Sequence, residues 1–141
     1  MIAVSGHAGP VHVLRLLPGE DIRSTLEGWV RNAGIEGAGV VSAVGSLSVA
    51  HLRYAGRADG ILTTGDLEVC GLSGTLSQHG LHLHLSIADR NGAMVGGHLL
   101  KGSVVRTTLE LVIQEIGDVR LLRTYDPKTS YDELDPRPLA C

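Results

Sequence analysis

Leu81-His82-Leu83-His84-Leu85-Ser86-Ile87-Ala88 alternates apolar and polar residues without a fault. Successive side chains of a strand point to opposite faces. Leu81, Leu83, Leu85 and Ile87 therefore share one face, and His82, His84, Ser86 and Ala88 share the other. Two imidazoles at i and i+2 then stand side by side, their Cα atoms ~6–7 Å apart. Asp89-Arg90-Asn91-Gly92 follows. Gly92 suits a left-handed position after a type I turn, which gives a three-residue hairpin loop with a bulge. In that register Asp89 faces Ala93, Ser86 faces Gly96 and His84 faces His98. A two-residue Asn-Gly turn would slide the pairing by one and send His98 to the opposite face. A bulge at Gly96-Gly97 would also re-aim it.

Three neutral imidazoles converging on one point make a metal site with an open fourth position. Zn²⁺ is favoured, and other borderline divalent metals suit the same donors. The plainer alternative is three exposed or hydrogen-bonded sheet histidines. His7, His12, His51 and His79 show no comparable geometry and read as structural or surface residues.

Outward from the hairpin, most of the chain reads as strand. Val11–Leu16 alternates, and Pro18-Gly19 ends it. Ala38–Val49 is rich in Val and small residues, with His51–Tyr54 as an extension. Leu67–Leu76, Ala93–Leu100 and Val104–Ile116 follow. Gly117-Asp118 reads as a turn from which Val119–Tyr125 returns. One helix interrupts this pattern, at about residues 20–33. Ile22, Leu26, Trp29, Val30 and Ala33 form its apolar stripe, Glu20 and Asp21 suit its first turn, and Gly34 is a plausible stop. The expected fold is α+β, a mostly antiparallel sheet with one main helix packed on it. The domain is expected over 11–125. Residues 1–10 read as an N-terminal tail, and 126–141 as an acidic, Pro-containing C-terminal tail, a loop or docked arm.

Composition narrows the function classes. The 141 residues are 43% hydrophobic, enough for a buried core, and the formal net charge is −3. Ten Arg and two Lys are scattered without a basic run, and four aromatic residues supply little for base stacking. No apolar stretch reaches membrane-spanning length, and the N-terminus lacks signal-peptide features. Cys70 and Cys141 have neither metal-type spacing nor a disulfide pattern. A reducing cytoplasm is the expected setting.

Several segments together resemble a known family. Leu72-Ser73-Gly74-Thr75, His82-Leu83-His84, Ala88-Asp89-Arg90-Asn91-Gly92 and Gly96-Gly97-His98-Leu99-Leu100-Lys101-Gly102 occur in order. Upstream stand Leu17-Pro18-Gly19-Glu20, Val41-Ser42-Ala43-Val44-Gly45-Ser46-Leu47 and Leu52-Arg53-Tyr54. This set resembles the plants-and-prokaryotes conserved (PPC) domain in its free-standing prokaryotic form, over nearly the whole chain. The resemblance implies an α+β fold, a homotrimer, and a divalent metal on the histidines matched by His82, His84 and His98. Plant members carry AT-hooks and act on AT-rich DNA, and prokaryotic members are named as DNA-binding by that association. This chain has no Arg-Gly-Arg-Pro hook, and Arg137-Pro138 lies in an acidic tail, so DNA binding transfers poorly.

Three functions stay in contention. The first is a trimeric metal-binding module, structural or open to a small-molecule ligand. The second is a metal-dependent enzyme acting on a small molecule, because three-His coordination can bring bound water to a pKa of ~7. Such an enzyme needs a proton shuttle, for which Glu68 is the candidate catalytic residue, with Asp89 and Arg53 as further polar candidates. The third is a DNA-binding regulator. The surplus of apolar residues at Leu99, Leu100, Val104 and Val105 fits a sheet whose second face meets another subunit.

Overall fold

The computed structural model describes residues 1–139. Its elements are β1 (His7–Leu16), α1 (Ile22–Asn32), β2 (Ala38–Arg53), β3 (Ile61–Ser77), β4 (Gly80–Ala88), β5 (Met94–Leu99), β6 (Val104–Gly117), β7 (Val119–Asp126) and β8 (Tyr131–Pro138). The architecture is the expected α+β one. A six-stranded sheet runs in the order β1-β6-β2-β3-β4-β5, with every pairing antiparallel. The long β2 also reaches β5 through Leu52↔Leu99 and Arg53↔His98. Strands β2, β3, β4 and β5 thus close on themselves, with the leucines of β4 turned inward.

The helix forms where the apolar stripe lies, and its ends have identifiable causes. Asp21 does not enter the first turn. It caps the helix, its carboxylate accepting the Ser24 N–H at 2.7 Å. Glu20 lies outside the helix, where its carboxylate accepts the Leu17 N–H. At the other end the Gly34 N–H reaches the Arg31 carbonyl and the Ile35 N–H reaches the Val30 carbonyl, the paired bonds of a Schellman cap. Ile22, Leu26 and Val30 are buried with Leu47, Leu52, Leu83, Leu85, Leu109 and Ile113 in one core. Each such aliphatic side chain contributes ~1.5–3 kcal/mol through removal from water.

Both expected tails need correction. Residues 1–10 are not all tail: β1 begins at His7 and pairs with the end of β6, with a shift between Ala8 and Val11 at Pro10. Residues 126–141 are not a loose arm, because β8 pairs with β7 from Asp126↔Tyr131 to Val119↔Pro138. Nor does β7 return along β6. Both edges of β6 are occupied, by β1 and β2, so the chain leaves the main sheet at Asp118 and builds a second, two-stranded sheet. Pro136 and Pro138 fit there because β8 is an edge strand. Cys141 lies outside the described residues. Among those residues no helix is long and apolar enough to cross a membrane.

Candidate metal centre

Strand β4 folds as its alternation dictates. Leu81, Leu83, Leu85 and Ile87 are buried, while His82 and His84 are exposed. The turn after it is held by Asp89. Its Oδ1 accepts the N–H groups of Asn91 at 2.8 Å and Ala93 at 2.9 Å, and its own N–H donates to the Ala93 carbonyl. These backbone bonds, led by Ala93, hold the Asp89 carboxyl below its ordinary range. Gly92 has φ 79°, the left-handed position a three-residue loop requires. Asp89 is therefore a turn residue. The resulting register places His84 opposite His98 and Ser86 opposite Gly96, with no bulge between β4 and β5.

The three rings meet. Centroid separations are 5.1 Å for His82–His84, 5.2 Å for His82–His98 and 5.6 Å for His84–His98. One ligand nitrogen from each lies within 4.8 Å of the others. Burial, then the positive charge of His82 and Arg53, depresses His98 to a pKa of about 4. Burial, then Arg123, also lowers His82. Deprotonated imidazoles with free lone pairs are what a divalent cation requires. The Nδ1 of His98 is buried and has no hydrogen-bond partner among the described residues. An unsatisfied buried polar atom costs ~1–3 kcal/mol, a cost that a ligand or cation bound at that nitrogen would relieve. The all-imidazole donor set suits Zn²⁺ and neighbouring divalent metals.

The remaining histidines are engaged elsewhere. His7 pairs with Asp118, His12 with Glu115, and His79 with Glu36, while His51 hydrogen-bonds the Lys101 carbonyl. Glu68 is exposed on the histidine face but pairs with Ala88, four residues along β4 from His84. That is ~13 Å of strand, so within one chain its carboxylate stands apart from the rings. Arg53 is the Cα partner of His98 and lies beside the cluster. A cleft of about 550 Å³ adjoins the site, lined by His82, His98, Arg23, Arg53, Arg123 and Glu133 among others. Arg123 and the β8 residues carried no signal in the sequence. Their approach depends on how a separate hairpin docks, which no local pattern encodes.

The chain spans about a fifth of the length of the curated relatives it matches. One is the bifunctional protein GlmU of Synechococcus sp. (strain JA-3-3Ab), 44% identical over 124 residues that make up 88% of this chain and 20% of that protein. Among solved structures, a hypothetical protein from Salmonella is 40% identical with a TM-score of 0.92, covering 96% of this chain and 97% of that one. A protein of Archaeoglobus fulgidus described as metal-containing shares the fold at 24% identity and a TM-score of 0.82, over 96% of this chain and 99% of that one. A Bacteroides thetaiotaomicron protein whose name proposes DNA binding shares it at 21% identity and a TM-score of 0.79, over 94% and 98%. The Plants and Prokaryotes Conserved domain profile matches residues 3–117, which hold all three histidines and stop short of β7 and β8. The chain belongs to the Plants and Prokaryotes Conserved domain family.

Proposed function

We propose that this chain is a metal-binding module in which His82, His84 and His98 hold one divalent cation, Zn²⁺ being favoured, with a coordination position open to a small ligand. The observation that carries this reading is the meeting of three imidazoles, one with a buried, unpartnered nitrogen. The Archaeoglobus neighbour's description as metal-containing supports it. When bound, such an ion polarises a ligand oxygen or acidifies water. The chain's own contribution is to aim the rings, through the Asp89 turn and the buried leucine face, while burial favours the neutral forms of His82 and His98. We place the module in a homotrimer, supported by an apolar sheet face described below, and in the cytoplasm, in keeping with the free, exposed Cys70.

The enzyme reading would need a shuttle other than Glu68, which stands apart from the rings within one chain, and the carboxylates that share the cleft with His82 and His98 are Asp132 and Glu133. DNA binding draws on the Bacteroides neighbour's name. It is opposed by the net charge of −3 and by ion pairs that already engage Arg23, Arg106, Arg120 and Arg137. Elemental analysis of freshly purified protein tests the metal centre. Stoichiometric metal in the wild type and its loss in His98→Ala are expected, and equal content in both would remove the reading.

A further inference from the structure

The cleft beside the histidines has an uneven set of charges. Arg23 spends its donors within the fold, on Glu27 Oε1 and on the carbonyls of Leu81 and Leu99. Arg53 and Arg123 do not. The Arg53 side chain has no hydrogen bond or ion pair among the described residues, although it lies directly across the ladder from His98. Arg123 approaches from β7 on the other side, where its Nη2 donates to the Thr75 hydroxyl at 2.8 Å. Thr75 is in turn the ladder partner of His82. Two guanidinium groups therefore flank the cluster, one beyond His98 and one beyond His82, and both line the same cleft. Arg123 is partly buried with a neutral hydroxyl as its one hydrogen-bond partner; burial pulls its pKa down, and the charge of the nearby Glu133 carboxylate works against that. Glu133 meets this charge without bonding to it, so most donors of the Arg123 fork stay free for a ligand in the cleft.

We propose that this cleft binds a small ligand bearing a single carboxylate or phosphate group, recognised by the guanidinium groups of Arg53 and Arg123 beside the histidine cluster. The ion's part in this rests on the metal-centre reading above, whereas the arginine pair does not. Guanidinium matches both oxyanions with a planar fork of donors. Asp132 and Glu133 from β8 line the same cleft and bring negative charge to it. They restrict the site to one anionic group and disfavour a polyanion such as a nucleic-acid backbone. Arg53 lies within the family-matched residues, but Arg123, Asp132 and Glu133 lie beyond them. The C-terminal hairpin is thus the wall that sets which ligand fits.

The test uses the full chain loaded with Co²⁺, whose visible absorption reports on its ligands. Inorganic phosphate and acetate are titrated into the wild type, Arg53→Gln and Arg123→Gln, with imidazole as a neutral ligand for the metal. The cobalt bands should shift with one of the two anions, which identifies the group preferred. Each substitution should weaken that anion ~10-fold or more, the scale of a lost charge-assisted hydrogen bond. Cobalt content and the imidazole titration should stay unchanged. Arg53→Lys, which keeps the charge but not the fork, should fall between. Equal anion affinity in wild type and both glutamine variants would overturn the proposal. Absence of cobalt bands from the wild type would instead strike the metal centre. Calorimetric titration of phosphate and acetate then decides the arginine site, which stands if heats are lost in the variants and falls if the wild type gives none.

Discussion

Gly74 shows how a single backbone position aims the site. It has φ 137°, and a Cβ there would run into the carbonyl oxygen of His82 on the neighbouring strand. Only a residue without a side chain lets β3 lie this close to the segment carrying two of the three rings. Gly74→Ala should cost ~1–3 kcal/mol from backbone strain alone. It should also loosen metal binding by displacing His82. Denaturant melts with and without added Zn²⁺ would show both, and unchanged stability would mean the close approach is dispensable. At this scale much of the site was legible. The His82–His84 alternation and the choice between turn lengths could be read from local chemistry, and Asp89 and Gly92 decided the register that brought His98 round. The roles of Arg53 and Arg123 were not readable to the same degree. Arg53 stood out only as a polar candidate, and Arg123 depends on contacts made across more than forty residues of chain.

The β7–β8 hairpin is held by a few polar bonds as much as by burial. Glu36 accepts from Arg120 Nε at 2.7 Å and pairs with His79, the Leu121 N–H donates to the Glu36 carbonyl, and the Ser77 hydroxyl donates to the Leu121 carbonyl. Burial pushes the Glu36 carboxyl up, but hydrogen bonds from His79, Arg120 and Gln78 outweigh it and leave its pKa below the usual 4.5. A depressed carboxyl stabilises the fold fully above its unfolded value, and that contribution fades as pH drops through the folded one. Acidification below about 4.5 should therefore loosen β7–β8 before the main sheet. In amide NMR spectra the Leu121 and Arg123 signals should move first, and Glu36→Gln should bring the same change to neutral pH. Simultaneous loss of all signals would show that the hairpin has no separate stability. Sequence reading missed this element for a physical reason. Two prolines and several acids in Tyr131–Pro138 look like a tail, and only the occupied edges of β6 make β7 seek a different partner.

For the whole molecule, the main sheet has a second face to account for. Val11, Val13, Val41 and Val44 are 56%, 79%, 64% and 57% exposed on β1 and β2. Several β-branched residues on one sheet region make an apolar patch of the kind that self-association covers. Sedimentation of the wild type should give three times the 14.8 kDa chain mass, and Val13→Arg should shift it to smaller species. A monomeric wild type would end the trimer reading. The apolar surplus read at Leu99, Leu100, Val104 and Val105 does not face a partner. Leu99 and Val105 lie in the core of the chain itself and the other two are partly buried, because β5 closes onto β2. Neither the exposed valines of β1 and β2 nor that closure was legible in the sequence. That contact joins segments far apart in the chain, and no periodicity announces it.

The same closure changes what the protein presents to its neighbours in a crowded solution. A strand rim with free N–H and C=O groups is a template for fibril growth. Here β2 covers the end of the outer rim of β5, at His98 and Leu99, leaving a four-residue stretch of β5 and the strand β1 as the open margins of the large sheet. The β1 margin is interrupted at Pro10, where the pairing slips between Ala8 and Val11. The large sheet thus offers only short stretches of straight edge on which misassembly could begin, and in the small one the prolines of β8 interrupt its rim.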